Sequence, residues 1–360
     1  MAPTLQPATI PTSIPDLPAQ LSALLHGVAI APLDDRAFLR VTGPDATRWL
    51  NGMVTNNIQS LQPGEGNYNF LLNAQGRILG DCTVYRDPTP DPPAFLLETD
   101  AAQVETIHQH LDHFIIMDDV ELVPAPDNQE TLLLLGPGAP AILRNYYRGF
   151  YHGFHGPDHS ALPPLRLAFD PEATDQISTP SPSMVPQFEI RGDVDALSEF
   201  ATTAGATPVS PEALEALRIL EGTPRYGIDI RNTEKAHDLP QETGQTRALH
   251  FSKGCYLGQE IVERIRSRGN VHRTFSGFLL TGSLPEPGAV LTAEGKPVGE
   301  LTSVAAIPLP ASSTQPAQTV QLALGYVRRE ALPVTAQARN LPIEYPRGVA
   351  TPIALPYPIP

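Results

Sequence analysis

The octapeptide Lys253-Gly254-Cys255-Tyr256-Leu257-Gly258-Gln259-Glu260 sets one of the two cysteines of a 360-residue chain between glycines and beside a lysine, just ahead of a helix-like run. Those neighbours suit thiol chemistry. A lysine ammonium and the free N–H groups of a helix starting near Gly258 both favour thiolate over thiol. Glycines at 254 and 258 permit positive φ and let a ligand approach the backbone. The alternative for a lone cysteine is a structural residue buried in a tight turn, because free cysteine is among the most buried residue types.

Other residues that carry chemistry are more scattered. Arg264, Arg266, Arg268, His272 and Arg273 form a basic stretch in an acidic chain. They suit a carboxylate-bearing ligand, an anionic partner or RNA, since arginine offers paired donors to carboxylate and phosphate. The alternative is a solvated helix face neutralised by Glu260 and Glu263. His152, His155 and His159 invite a metal reading, as do His108, His110 and His113. Gly153, Gly156 and Pro157 interrupt the first set, and His108 and His110 cannot share one helix face, so no metal site is expected. Two cysteines cannot supply a complete four-thiolate cluster site, and a Cys82–Cys255 bridge is open on sequence alone. No Gly-rich phosphate loop and no Gly-x-Ser-x-Gly elbow is present, which removes nucleotide hydrolysis and serine-esterase readings.

Composition sets the outer limits. The chain is long enough for two or three domains with real cores. Its net charge of −15 argues against direct nucleic-acid binding and favours solubility. Two cysteines give no disulfide framework, which fits a reducing cytoplasm. No basic and apolar leader opens the sequence and no run of about 18 apolar residues spans a bilayer, so no membrane partner is expected. Forty prolines, about 11% of the chain against a usual ~5%, gather at both ends and around Pro88–Pro93, Pro180–Pro186 and Pro308–Pro316, where loops are favoured.

The elements that must position these residues read as an α+β body followed by an all-β region. A short helix is expected over Asp45–Asn51, then strands Asn67–Leu72 and Ile78–Arg86 joined as a hairpin by Asn73-Ala74-Gln75-Gly76. Phe95–Thr99 reads as a strand, with Asp100 as cap of a helix carrying Val104, Ile107, Leu111 and Phe114. Val120–Val123 and Thr131–Leu135 add strands. Ser210 and Pro211 open a helix with Leu214, Leu217 and Leu220 on one face that stops at Gly222. After Arg273, short alternating runs at Phe275–Thr281, Ala289–Thr292, Val298–Ser303 and Val320–Val327 suggest a small sandwich or barrel.

The octapeptide, followed by Ile261-Val262-Glu263-Arg264 and by Arg268-Gly269-Asn270 before Arg273, resembles the signature of the YgfZ family of folate-binding proteins, relatives of the glycine-cleavage T-protein that assist iron–sulfur cluster maturation. The resemblance extends to Gly43-Pro44-Asp45-Ala46, Thr55, Asn73 to Leu79 with Asp81, Arg218 to Gly222, Leu239 to Glu242, and Gly299, Thr302-Ser303 and Gly325. It implies a T-protein-like body around a folate channel, over residues 21–273 in two intertwined subdomains. A C-terminal β-barrel would cover 274–347, with Pro-rich tails at 1–20 and 348–360. Tetrahydrofolate or a one-carbon derivative is the implied cofactor. Iron–sulfur enzymes or assembly proteins are the implied partners, with a link to tRNA-modifying iron–sulfur enzymes. The resemblance also supplies the site. Cys255 and Asp81 would be catalytic, and Asp81, Glu221, Lys253, Gln259 and Glu260 would contact folate. Asp81 falls where the transferases place a carboxylate beside the reacting end of folate, here with Gly80 as its neighbour. Glu221 falls where a glutamate holds the amino-pyrimidine edge of the pterin. The competing reading is a folate-dependent aminomethyltransferase, a branch that lacks this cysteine.

Overall fold

The computed structural model describes residues 13–88, 92–125, 130–146, 167–169, 176–178, 183–233, 238–269, 271–312, 315–332 and 342–359. Its first elements are α1 (Leu17–His26), β1 (Ala29–Pro32), β2 (Arg36–Thr42), α2 (Ala46–Met53), β3 (Gly66–Leu72), β4 (Ile78–Arg86), β5 (Phe95–Asp100), α3 (Ala101–Asp112) and β6 (Glu121–Pro124). The middle holds β7 (Glu130–Leu135), α4 (Ala139–Tyr146), β8 (Leu167–Phe169), β9 (Gln176–Ser178), β10 (Gln187–Gly192), α5 (Val194–Ala204), β11 (Thr207–Pro208) and α6 (Pro211–Glu221). The last part holds α7 (Gln259–Arg268), β12 (Arg273–Gly282), β13 (Val290–Ala293), β14 (Lys296–Leu309), β15 (Gln318–Arg328), β16 (Ile343–Tyr345) and β17 (Gly348–Ile353).

These strands form two open sheets and a barrel. One sheet runs β3-β4-β5-β2-β6, and a second runs β11-β1-β7-β10-β9-β8. Consecutive strands β1 and β2 therefore enter different sheets. The expected hairpin is β3–β4: the Asn73 side chain accepts from the N–H groups of Gln75 and Arg77 at 3.0 and 3.1 Å, and Gly76 adopts φ +69°, the geometry that Asn and Gly supply at low cost. Leu39, Leu50, Leu71, Val84, Leu97 and Ile107 make the core where α2 and α3 cover the first sheet. Asp100 sits at the N-cap of α3 but its side chain makes no cap bond; it pairs with Arg36 instead.

The two sheets meet across a buried ionic contact. Glu98 of β5 and Glu189 of β10 are 6% and 1% exposed, and Arg36 Nε lies 3.4 and 3.6 Å from their carboxylates. Burial, with the charge of Glu189 second, pushes the Glu98 carboxyl well above the usual carboxylate range.

The C-terminal strands close into a barrel in the order β12-β15-β14-β13-β16-β17, so every edge strand finds a partner. Phe278, Leu291, Leu301, Val327, Ile343 and Ala350 fill it. A separate core joins its outside to the body, where Leu21 and Leu24 of α1 and Leu217 and Leu220 of α6 meet Ile307 and Leu322. Asp229, fully buried, bolts the same junction: it accepts from Arg218 Nη1 at 2.6 Å, Arg225 N–H at 3.0 Å, Ser303 Oγ at 2.8 Å and Thr302 Oγ1. Two expected boundaries shift. β17 carries the barrel to Ile353, and Leu355, Tyr357 and Ile359 pack on the α1–α6 core, so residues 348–359 are not a free tail. Helix α1 likewise begins inside the segment expected as an N-terminal tail, capped by Asp16 to Ala19 N–H at 3.1 Å.

Candidate functional site

Cys255 is exposed and Cys82 is buried, and both thiols are free. No disulfide joins them. The cysteine is held outward because its neighbours are anchored. Lys253 Nζ donates to the carbonyl oxygens of Asn51, Val54 and Asn56, each at 2.6 Å; Tyr256 is buried; and Leu257 N–H donates to Gly52 C=O at 3.1 Å. Below the loop, Gly258 adopts φ +80° and presses on the β3–β4 turn so closely that an added Cβ would lie 2.6 Å from Asn73 C=O. Its glycine is required twice, by conformation and by space.

The expected role of Lys253 changes. All three of its N–H donors go to backbone carbonyls, leaving none for the thiol or for a folate. Burial pushes its pKa down to about 7, and three carbonyl dipoles act in the opposite sense, favouring the ammonium. Gln259 takes the capping role: its Oε1 accepts from Tyr256 N–H at 3.2 Å. Glu260 lies exposed in the first turn of α7.

The two carboxylates lie in one electrostatic neighbourhood, bridged by a residue the sequence did not single out. Asp81, on β4, accepts from Tyr68 Oη at 2.5 Å and from Gln103 Nε2 at 2.8 Å. Burial raises its pKa and these two donors work against the rise. Gly80 has a local reason: an added Cβ would stand 3.0 Å from Ile107 and 3.1 Å from Gln103 Oε1, so the missing side chain makes room for the glutamine that holds Asp81. Glu221 ends α6, and its Oε1 accepts from Ser183 Oγ and, at 3.0 Å, from Met184 N–H. Among the described residues its Oε2 accepts no hydrogen bond. Burial pushes the Glu221 carboxyl up, opposed by those donors and by Arg247. The Arg247 guanidinium stands 4.9 Å from the Tyr68 ring centroid and interacts electrostatically with Tyr68, Glu221 and Asp81.

One short segment ties this neighbourhood to the cysteine loop. Thr55 Oγ1 donates to Ala248 C=O at 2.6 Å and accepts from Phe70 N–H at 2.9 Å. Asn56 Nδ2 donates to the carbonyls of Arg247 and Tyr68 at 2.8 and 3.1 Å, while its own carbonyl receives Lys253. Residues 54–56 thus hold Arg247, Tyr68 and the Cys255 loop together. Sequence reasoning missed Arg247, Gln103 and Ser183 because each arrives from a distant element with no motif around it.

The basic stretch disperses. Arg273 reaches Asp238 and Glu242 at 2.5 and 3.0 Å, and Arg266 lies over the Phe251 ring at 4.1 Å with Glu263 at 3.6 Å. His272 lines a separate surface cavity of about 510 Å³ with Arg328 and Arg329. Among the described residues no cluster suits a metal ion. His152, His155 and His159 lie outside them, and His110 and His113 pack edge-on against Phe114.

Residues 17–150 match the GCVT N-terminal domain family. The iron–sulfur cluster assembly factor IBA57 homolog, mitochondrial, of Neurospora crassa is 30% identical over 267 residues, 71% of this chain and 55% of that protein, so the chain spans little more than half of that relative's length. The iron–sulfur cluster assembly factor IBA57, mitochondrial, of Mus musculus is 28% identical over 74% of this chain and 72% of its own length. The glycine cleavage system aminomethyltransferase T of Bartonella henselae superposes with TM-score 0.76 over 95% of this chain and 89% of its own, at 20% identity. The chain thus has the α+β fold and C-terminal barrel of a glycine-cleavage T-protein, and in sequence it is similar to proteins named iron–sulfur cluster assembly factors.

Proposed function

We propose that this chain binds tetrahydrofolate or a one-carbon derivative and acts as an accessory protein in iron–sulfur cluster assembly or repair, within the YgfZ branch of T-protein-like proteins, in a reducing compartment such as the cytoplasm. The observation that carries the reading is the pairing of an exposed, anchored thiol at Cys255 with a carboxylate neighbourhood tied to it through residues 54–56. Glu221 fits the amino-pyrimidine edge of a pterin, because Ser183 and Met184 fix one oxygen and the other is left to accept an N–H from a ligand. Asp81 retains a proton more readily than an ordinary carboxyl, which suits hydrogen bonding to a pterin nitrogen. Bound folate would supply a nitrogen pair able to carry a one-carbon unit. The residues of this chain do the rest: Glu221 orients, Asp81 holds a proton, and Cys255 offers one sulfur at the surface to iron–sulfur enzymes or assembly proteins. The relatives' names support the partner class. The net charge of −15 supports partners other than nucleic acid, even where the client is a tRNA-modifying enzyme.

The test is a tetrahydrofolate titration of the wild type and of Cys255→Ser, with both proteins expressed in cells depleted of the endogenous factor. The reading requires equal folate affinity and loss of iron–sulfur enzyme activity in the variant alone. Restored activity with Cys255→Ser, together with aminomethyl transfer by the purified protein, moves the chain to the transferase class.

A further inference from the structure

The last described residues sit where Glu221 is built. A helix leaves its final carbonyls without intrahelical donors. At the end of α6, Thr223 N–H reaches Arg218 C=O at 3.2 Å and Gly222 N–H reaches Ile219 C=O at 3.1 Å. The next carbonyl, that of Leu220, is taken from outside the helix, by Tyr357 N–H at 2.7 Å. On the other side of Glu221, Gly222 adopts φ +73° and its α-carbon lies against Leu355: an added Cβ would stand 2.4 Å from Leu355 Cδ1. Gly277 of β12 meets the same leucine, 2.7 Å from Cδ2 by the same measure. Leu355 is therefore wedged between the end of α6 and the barrel, and Tyr357 and Ile359 continue onto the α1–α6 core. Both residues that flank Glu221 touch this one segment.

We infer that residues 354–359 form a strap that fixes the position of the Glu221 carboxylate and so sets the affinity for the ligand it holds. The strap acts through main-chain position, which makes Tyr357 and Leu355 positioning residues. Prolines at 356 and 358 restrict its backbone at little entropic cost, and the Tyr357 N–H between them is directed at α6. The inference rests on Glu221 as a folate ligand, but its mechanical part does not.

The experiment compares two substitutions at one position. Tyr357→Ala removes the ring and keeps the N–H, whereas Tyr357→Pro removes the N–H in a segment that already carries prolines on both sides. Tetrahydrofolate should bind Tyr357→Pro about fivefold more weakly than Tyr357→Ala, the ordinary net worth of one hydrogen bond. In a Glu221→Gln background, where the carboxylate is already lost, that ratio should fall to about one. Amide exchange at Met184, whose N–H bonds Glu221 Oε1, should quicken in Tyr357→Pro and not in Tyr357→Ala, with or without folate. Equal affinities and equal Met184 exchange in the two variants overturn the strap. Should the wild type bind no folate, the folate reading falls and Met184 exchange alone decides the strap. A Leu355→Ala variant, which empties the wedge without altering the backbone, should also quicken Met184 exchange; an unchanged rate there counts against it.

Discussion

Replacing Lys253 by methionine keeps the length and apolar stem of the side chain and deletes its three donors. The carbonyls it serves belong to Asn51 and Val54, at the C-terminal end of α2, and to Asn56. A helix C-terminus carries partial negative charge and favours a cation there. An acceptor left without its donor in a buried site costs about 1–3 kcal/mol, so three of them set an upper value near 9 kcal/mol. The loop is half-buried, and water can reach part of it once the ammonium is gone. Removing the partially desolvated charge also returns some free energy, which brings the expected loss to about 3–5 kcal/mol, the range for removing one partner of a buried polar pair. Urea unfolding followed by far-UV circular dichroism reads this as a lowered midpoint. Lys253→Arg should be intermediate, since a flat guanidinium cannot reach three converging oxygens as an ammonium does. A Lys253→Met protein within about 0.5 kcal/mol of the wild type would refute the claim that this side chain secures the cysteine loop.

The buried glutamate pair gives a pH signature. Glu98 keeps its proton in the folded state to a pH well above the value at which the unfolded chain releases it. Its contribution is therefore fully present at acid pH and falls, by about 1.4 kcal/mol per pH unit, as pH rises toward the folded-state pKa. Glu98→Gln, whose amide can still donate to Glu189, should show none of that slope, so its stability gap over wild type must widen between pH 5 and 8 in urea titrations; a constant gap means Glu98 is ionised throughout. Asp229→Ala strips four donors of their shared acceptor and should cost about 3–5 kcal/mol, measured by the same unfolding curves. Gly258→Ala faces both a positive φ and the Asn73 carbonyl; a loss of about 2–4 kcal/mol is expected, and a neutral result would mean the turn shifts freely. Iodoacetamide on the native protein should modify Cys255 and spare Cys82, with both alkylated after denaturation, as intact-mass spectrometry would show.

Local chemistry was legible in this sequence wherever short-range rules decide structure. The Asn73–Gly76 turn, the Ser210–Gly222 helix with its proline start and glycine stop, and the alternating strands after Arg273 all follow from neighbours within a few positions, and each stands as expected. The exposed cysteine was legible for the same reason. The partners that shape the carboxylates were not. Gln103 meets Asp81 from 22 positions away and Ser183 meets Glu221 from 38, contacts set by packing of whole elements. Lys253 misled because sequence adjacency to Cys255 says nothing about where a long, flexible side chain sends its charge. The proline-rich segment 348–360 reads as a tail because its prolines interrupt helical and strand periodicity, although Leu355, Tyr357 and Ile359 alternate with prolines in a row that packs on one surface.

The pairing of β1 has a consequence for how the molecule is made. Ala29 and Ile30 align with Thr207 and Pro208 on one side and with Leu135 and Leu134 on the other. At a synthesis rate of about 5–20 residues per second, β1 waits roughly 10–35 s for β11 to be made. Over that interval an apolar strand has open hydrogen-bonding groups, so nascent chains of this protein should be clients of ribosome-associated chaperones. Fragments that stop before residue 207 should precipitate, however well the first sheet is designed to stand.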